Sequence, residues 1–209
     1  MRKIRQRLRA GSAVIEFALT LPILISLTLG VFMMGLTVVR GISVVQVTRD
    51  TAQMFARGLN FAYTGNQDVV VRLAAGLGMT RTGGNGVVIL SQVMYVGDQQ
   101  CAAGGFPVGD TRCTNRYWPV IIRRIVIGNA SLRQSNFGTP NPSLIGSEGW
   151  IAQGAYLTDV STRAVGFLSL IPDMAPGQLA YMVESYFWAP ELSLAGMSFG
   201  GGVYSRSIF

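Results

Sequence analysis

The sequence predicts an α+β protein in which one long N-terminal transmembrane helix extends into a small domain with an antiparallel sheet. Two observations support this prediction. Residues 17–39 form an apolar stretch of 23 residues without a charge. After about residue 59, runs of β-branched residues are separated by turns and long loops rather than by regular helices, which favours antiparallel pairing.

The uncharged stretch is long enough to cross a membrane. As a helix it spans roughly 34 Å at 1.5 Å per residue, against about 30 Å for the hydrocarbon core of a bilayer. Five of the 17 basic residues lie in the first ten positions, whereas Arg40 alone follows closely on the other side. The positive-inside rule then places the N-terminus in the cytoplasm and the C-terminal domain outside. A buried core helix is the alternative, and 23 uncharged residues are long for one.

Composition argues against several classes of protein. Charged residues make up 13% of the chain, against about 25% in a typical soluble domain. Beyond position 10 there are 12 basic and 10 acidic residues, a formal +2. Most of the net charge of +7 therefore belongs to the N-terminal leader, and it does not predict a nucleic-acid surface. The chain has no histidine, and its only lysine is Lys3. We therefore predict no catalytic residue, no metal, no cofactor and no nucleic-acid partner.

The helix is expected to continue past the membrane as an amphipathic segment. Its polar face carries Gln46, Arg49, Asp50, Gln53 and Arg57, and its opposite face carries Val44, Val47, Thr51, Phe55 and Leu59. Gly58 and Asn60 supply a stop, and Pro22 should loosen or kink the helix locally. The predicted organisation is a basic leader over 1–11, a transmembrane and amphipathic helix over 12–58, and an α+β domain over 59–209.

Within the outer domain, Asn66 is predicted to cap a short helix that runs to about Leu77. Residues 81–86 predict a turn, and residues 147–172 are ambiguous between strand and helix. The predicted strands are 87–96, 118–127, 179–188 and, more weakly, the C-terminal 203–209.

Few polar residues of this domain predict a site. Arg123 and Arg124 interrupt a strand, and we expect one of them to be solvated and the other to lie at an edge or to pair with Glu184. The two cysteines, Cys101 and Cys113, fall in a predicted Gly-rich loop. With the domain placed outside the membrane, we expect a structural disulfide between them, which by loop entropy contributes about 3 kcal/mol.

The N-terminal residues resemble a known processing site. A basic leader ends at Gly11 and is followed by Ser12, three apolar residues, Glu16, Phe17 and the long apolar helix. This pattern resembles type IV pilins and pseudopilins. Within that superfamily, the stretch GSAVIEFALTLPILISLTLG looks most like the TadE-like minor pseudopilins of tight-adherence (Tad/Flp) pilus systems. The later stretch AYMVESYFWAP is similar to a loose pattern near the end of such proteins, while VTRDTAQMFARG is a looser version of their usual helix end.

The resemblance implies a pilin-like fold and a role that is structural rather than enzymatic. It implies that a prepilin peptidase cuts between Gly11 and Ser12, and that Glu16 and Phe17 serve subunit assembly. The expected partners are that peptidase, other pilin and pseudopilin subunits, the inner-membrane assembly platform and membrane lipid. The expected location is a bacterial inner membrane, crossed once, with possible incorporation into a pilus used for adhesion or secretion.

Glu16 has two interpretations. A carboxylate at mid-membrane costs about 2.5–3.5 kcal/mol on insertion scales, and less near an interface. The side chain can therefore simply reach the headgroups. Alternatively, as the resemblance implies, the Glu16 carboxylate of one subunit pairs with the new Ser12 amine of another and fixes their axial register.

Two other functions remain open at this stage. The chain could be a signal-anchored periplasmic enzyme or ligand-binding domain that never enters a filament, although no motif of acids and hydroxyls indicates one. It could also be a pseudopilin of a type II secretion system.

Overall fold

A computed structural model describes residues 2–188, 193–194, 197–198 and 202–209, with side chains described for 13–188 and 202–209. The chain divides into two compact units, one ending at Gly41 and the other running from Ile42 to Phe209. The helices are α1 (Arg2–Ala56), α2 (Thr64–Leu73), α3 (Asp98–Ala103) and α4 (Gln153–Thr158). The strands are β1 (Gly86–Tyr95), β2 (Pro119–Gly128), β3 (Leu179–Phe187), β4 (Ser193–Leu194), β5 (Met197–Ser198) and β6 (Val203–Ile208). The α+β prediction is confirmed.

Helix α1 continues through Pro22 and ends at Ala56, as a glycine stop predicts. Gly58 has φ of 88°, in the left-handed region where a side chain is disfavoured. Its N–H donates to the Phe55 carbonyl at 3.0 Å, and the Leu59 N–H donates to the Met54 carbonyl at 3.0 Å. This pair of bonds is the Schellman motif, which satisfies carbonyls that the helix end would otherwise leave without donors.

The main sheet is antiparallel, with strand order β2-β1-β3-β6. The register of β1 against β2 shifts between Gln92 and Val93, where Ile122 is the extra residue on β2. Such a bulge changes which face of the sheet the following side chains occupy. As a result Ile121 lies on the opposite face from Ile125 and Ile127, and β2 contributes apolar residues to both faces.

One face of the sheet packs against the C-terminal part of α1. Val44, Val47, Ala52 and Phe55 of the helix are buried in one cluster with strand residues. The strand residues include Val88, Leu90, Ile125, Ile127, Val183 and Phe187. Gln46, Arg49, Asp50, Gln53 and Arg57 are exposed, so the predicted amphipathic pattern of this helical segment is confirmed.

The other face is covered mainly by irregular chain between β2 and β3. Phe137, Ile151, Ala164, Phe167 and Met174 from this stretch pack on sheet residues such as Ile121 and Met182. The ambiguous stretch 147–172 contains α4, two turns of 3₁₀ helix, Val160–Thr162 and Phe167–Ser169, and short bridges to β2. Neither a long helix nor a strand of the main sheet forms there.

Three local predictions are wrong. Asn66 does not cap α2, whose N-cap is Tyr63; its side-chain amide instead donates to the Asn60 carbonyl at 2.7 Å. The helix ends at Leu73 and is followed by a separate 3₁₀ turn, Ala75–Leu77. The predicted cysteine loop also contains α3, so Cys101 lies on a helix rather than in open loop.

Candidate functional site

The predicted processing site lies at the start of α1. The backbone is helical at both Gly11 and Ser12, and their surroundings lie outside what the structure describes. The side chains described for this unit begin at Ala13, the second residue after the predicted cut. Glu16 and Phe17 are both exposed, Phe17 by 60%. Both predicted assembly residues are therefore available for contact with a molecule other than this chain.

The apolar side chains of this part of α1 are almost all exposed. From residue 13 to residue 39, Met33 alone among the described side chains is even partly buried. Met34 is 74% exposed and Phe32 is 62% exposed. The helix is long and apolar enough to cross a membrane, and its most apolar window contains no buried residue. An apolar surface this extensive, rather than scattered single residues, marks a site of interaction with lipid or protein.

Four hydroxyl groups in this segment are satisfied within the helix itself. The Thr20 hydroxyl donates to the Phe17 carbonyl at 3.2 Å, and the Ser26 hydroxyl donates to the Pro22 carbonyl at 2.8 Å. Thr28 and Thr37 donate in the same way to carbonyls four residues earlier, at 2.7 and 2.9 Å. Because hydrocarbon offers no hydrogen-bond partner, this pattern lets hydroxyl-bearing residues lie in an apolar medium at low cost.

The two cysteines form a disulfide inside the outer domain. The S–S distance is 2.05 Å and the Cα–Cα distance is 6.0 Å. Both cysteines are buried in a small cluster that contains Val96, Val120 and Leu157. The bridge links α3 to the loop that follows it, and it lies in one cluster with Leu157 of α4 and Val120 of β2. It is a core element as well as the closure of a loop.

The expectation that one of the two neighbouring arginines is solvated is wrong, since Arg123 and Arg124 are each less than 10% exposed. Arg123 donates to the Asn60 side-chain oxygen and to the Glu148 carbonyl, and its guanidinium stacks on Trp150 at 4.6 Å. Arg124 lies on the opposite face of β2 and donates to the Gly138 carbonyl at 2.8 Å. Burial lowers the pKa of Arg124 to about 10, and nearby Glu184 partly offsets that effect.

Glu184 is the most deeply buried acid described, with 2% exposure. Its carboxylate accepts hydrogen bonds from the Ser135 hydroxyl, from the Asn136 N–H at 3.0 Å and from the Tyr204 hydroxyl at 2.8 Å. Burial, followed by the hydrogen bond to Glu184, raises the pKa of Tyr204 to about 12. These bonds tie β6 and the loop after β2 to the centre of the sheet. This cluster is structural in character, because a buried carboxylate needs such donors to be tolerated.

Sequence reasoning offered Glu184 as a partner for Arg123 or Arg124, but its carboxylate accepts hydrogen bonds from Ser135, Asn136 and Tyr204 instead. No local pattern marks them, because they come from three separate parts of the chain. Among the described residues, no group of three or more His, Cys, Asp or Glu side chains is placed to hold a metal ion.

The N-terminal segment has a relative among known protein families. Residues 11–53 match the model of the family described as TadE-like protein. No curated protein and no solved structure gave a significant match to the chain. The matched segment contains Gly11, Ser12, Glu16 and Phe17, the residues on which the resemblance was based. Over this N-terminal segment, about a fifth of its length, the chain is therefore similar to TadE-like proteins.

Proposed function

We propose that this protein is a minor pseudopilin, a structural subunit that acts in the assembly, initiation or capping of a Tad/Flp type IV pilus used in adhesion or secretion. The observation that carries the proposal is the family match over residues 11–53, combined with an apolar helix whose side chains the domain does not bury. A helix of this kind needs partners outside its own chain, and lipid before assembly followed by other subunits after it would supply them.

In the proposed pathway, the chain is inserted into the membrane, then cleaved, and then assembled. The basic leader, 1–11, stays in the cytoplasm while the helix crosses the inner membrane and the domain lies outside. A prepilin peptidase then cuts after Gly11, which removes five basic residues and creates an α-amine at Ser12. The assembly platform of the inner membrane would next transfer the mature chain from lipid to neighbouring pilin subunits.

Glu16 is the proposed register residue of the assembled state. Its carboxylate is four residues from the new amine and is exposed in the isolated chain. In a filament of stacked apolar helices, a carboxylate from one subunit and an amine from the next would form a desolvated ion pair. Such a pair is costly to break from one side, so it would fix the axial position of a subunit.

The experiment is deletion of the gene in the native host, followed by complementation with the full chain. Pili are counted by electron microscopy, and surface adherence is measured in parallel. Loss of pili on deletion, restored by the full chain, is the expected result. Normal pilus number and adherence in the deletion strain would contradict an assembly role, whatever the location of the protein.

A further inference from the structure

An open cavity of about 310 Å³ lies on the face of the sheet away from α1. Its floor is formed by Ile89 of β1 and Val126 of β2, and its walls come from the loop after β2. Pro140, Pro142 and Ile145 make much of that wall apolar. Val126, on the edge strand β2, is 42% exposed. The cavity therefore leaves some apolar surface of the sheet uncovered, whereas elsewhere on this face such surface is buried.

A buried cation lines the same cavity. Arg124 is only 6% exposed, and its guanidinium makes one hydrogen bond with the described residues, to the Gly138 carbonyl. Its Nε is buried without a partner among them, and the same is true of the Nε of Arg133, a second cavity residue. A guanidinium has five N–H donors, so Arg124 retains unused capacity for an acceptor.

The nearest buried acid does not use that capacity. The carboxylate of Glu184 takes its hydrogen bonds from Ser135, Asn136 and Tyr204. No ion pair joins Glu184 to Arg124 within the described part of the chain, and the two interact only at longer range. The cavity thus combines apolar walls with a desolvated, incompletely paired positive charge. An anionic group placed there would gain from the weak screening of a buried site.

We propose that this cavity binds a small monocarboxylate with a short apolar chain, its carboxylate against Arg124 and its chain against Ile89, Val126 and Ile145. The volume lies near the lower end of the range for small-molecule sites, about 300–1,000 Å³, which limits the ligand to a small one. The polar side chains of Gln134 and Thr139 also line the cavity and supply further hydrogen-bonding groups. This site is separate from the proposed assembly segment and does not depend on the proposed function.

The test uses the full chain in detergent micelles and hexanoate as the probe, with binding followed by ligand-observed saturation-transfer NMR. Hexan-1-ol and hexylammonium have the same apolar chain with a neutral or a positive head. We expect hexanoate to bind at least tenfold more tightly than either. Equal binding of hexanoate and hexan-1-ol would overturn the proposal, because it would show partition into the micelle only.

Two variants localise the site. Ala130→Trp places a large side chain at an exposed lining position and should weaken hexanoate binding at least tenfold. Val165→Trp, at a position 60% exposed and outside the cavity lining, is the matched control and should bind like the parent chain. Unchanged binding in Ala130→Trp would overturn the proposal. Arg124→Met should abolish the preference for hexanoate over hexan-1-ol. If that variant fails to fold, the Ala130→Trp result and the probe series still decide.

Discussion

Two regions of this chain use apolar residues in opposite ways. In the first unit, the side chains from residue 13 to residue 39 are nearly all exposed, including Phe17 and Phe32. In the second unit, the amphipathic end of α1 buries Val44, Val47 and Phe55 against the sheet, with exposures of 0–3%. Both regions are helical and rich in apolar residues, yet only the second buries its apolar surface within the chain.

The difference shows where each region obtains its stability. The second unit contains its own core on both faces of the sheet, so its folding free energy comes from contacts within the domain. The described side chains of residues 13–39 contribute nothing to a buried core, so a bilayer or a protein partner would be needed to remove their apolar surface from water. Substitutions in the first unit should therefore alter processing and assembly, whereas substitutions in the second should alter domain stability.

The largest expected effect comes from blocking the proposed cleavage. Gly11→Arg puts a bulky cation at the cut while leaving the leader basic, so the chain should insert but keep its leader and fail to enter pili. Intact mass from membranes of the native host measures the cleavage. Gly30→Ala is the control, because a Cβ there meets nothing within 4 Å. The parent chain and this control should both begin at Ser12; a parent chain that retains Met1 would refute the processing site.

Glu16→Ala tests the proposed pairing of subunits. Removing the carboxylate should ease insertion and leave cleavage unchanged, but it leaves the Ser12 amine of a neighbouring subunit unpaired. Breaking a buried pair from one side costs about 3–5 kcal/mol, so pilus assembly should fail. The readouts are the amount of cleaved subunit in membranes and the number of pili. Asp50→Ala, at an exposed acid of the second unit, should assemble normally. Normal piliation by a processed Glu16→Ala chain would contradict the pairing and would favour the interpretation that Glu16 only contacts lipid headgroups.

A pair of phenylalanines in one helix tests the comparison directly. Phe55 is 1% exposed and contacts Phe61 and Tyr181 edge-on at 6.2 and 5.3 Å between ring centroids. Phe55→Ala should lower the free energy of unfolding of the domain by about 3–5 kcal/mol through lost burial and a cavity. Phe32→Ala should leave that free energy unchanged. Denaturant titration of the full chain in detergent, followed by tryptophan fluorescence, measures both. Equal effects would contradict the separation of the two regions.

Loss of the disulfide should destabilise the second unit alone. Replacing both Cys101 and Cys113 by alanine is expected to cost about 2–5 kcal/mol of domain stability, the range for small secreted domains. The helix of the first unit should still insert and be cleaved. Mass mapping of the exported protein without reduction should recover the two peptides linked. If both thiols of the parent chain are free to alkylation, the bridge does not form in the host.

The smallest effect is expected at Tyr204. Tyr204→Phe removes one of three donors to Glu184 and should cost about 0.5–1.5 kcal/mol, whereas Tyr63→Phe, at an exposed position, should cost little. The pKa of Tyr204 is raised to about 12, so the fold favours the neutral phenol. The folding stability that comes from this raised pKa is complete below a pH of about 10 and is lost as the pH rises toward 12. Urea titrations should show a steeper loss of stability over this window in the parent chain than in Tyr204→Phe.

Local sequence patterns were sufficient to predict the long helix and the strands of the main sheet. The uncharged stretch predicted the apolar helix, the helical spacing of apolar residues after Arg40 predicted its buried face, and Gly58 predicted its end. The four predicted strands were correct to within one residue at each end, because β-branched runs and flanking turns are local signals. The predicted processing residues Gly11 and Ser12 and the predicted assembly residues Glu16 and Phe17 came from the resemblance, and the family match covers the same segment.

The errors arose where distant residues compete for the same groups. Asparagine is a common N-cap residue, yet the side-chain amide of Asn66 donates a hydrogen bond to the Asn60 carbonyl instead. Arg123 and Arg124 were expected to include one solvated side chain, but loops that return from residues 138–150 bury both. The apolar residues of 147–172 carry no clear period, because they cover a sheet as irregular chain rather than as an element of their own.

The sequence alone determined the apolar helix, its amphipathic continuation and the strands, because each depends on neighbouring residues along the chain. Tertiary structure decided the environment of the buried charges. Glu184 acquires its donors from Ser135, Asn136 and Tyr204, and the burial of Arg124 depends on the loop that passes over β2. Whether a charge is paired, exposed or left facing a cavity depends on which distant segments approach it, and no local spacing encodes that.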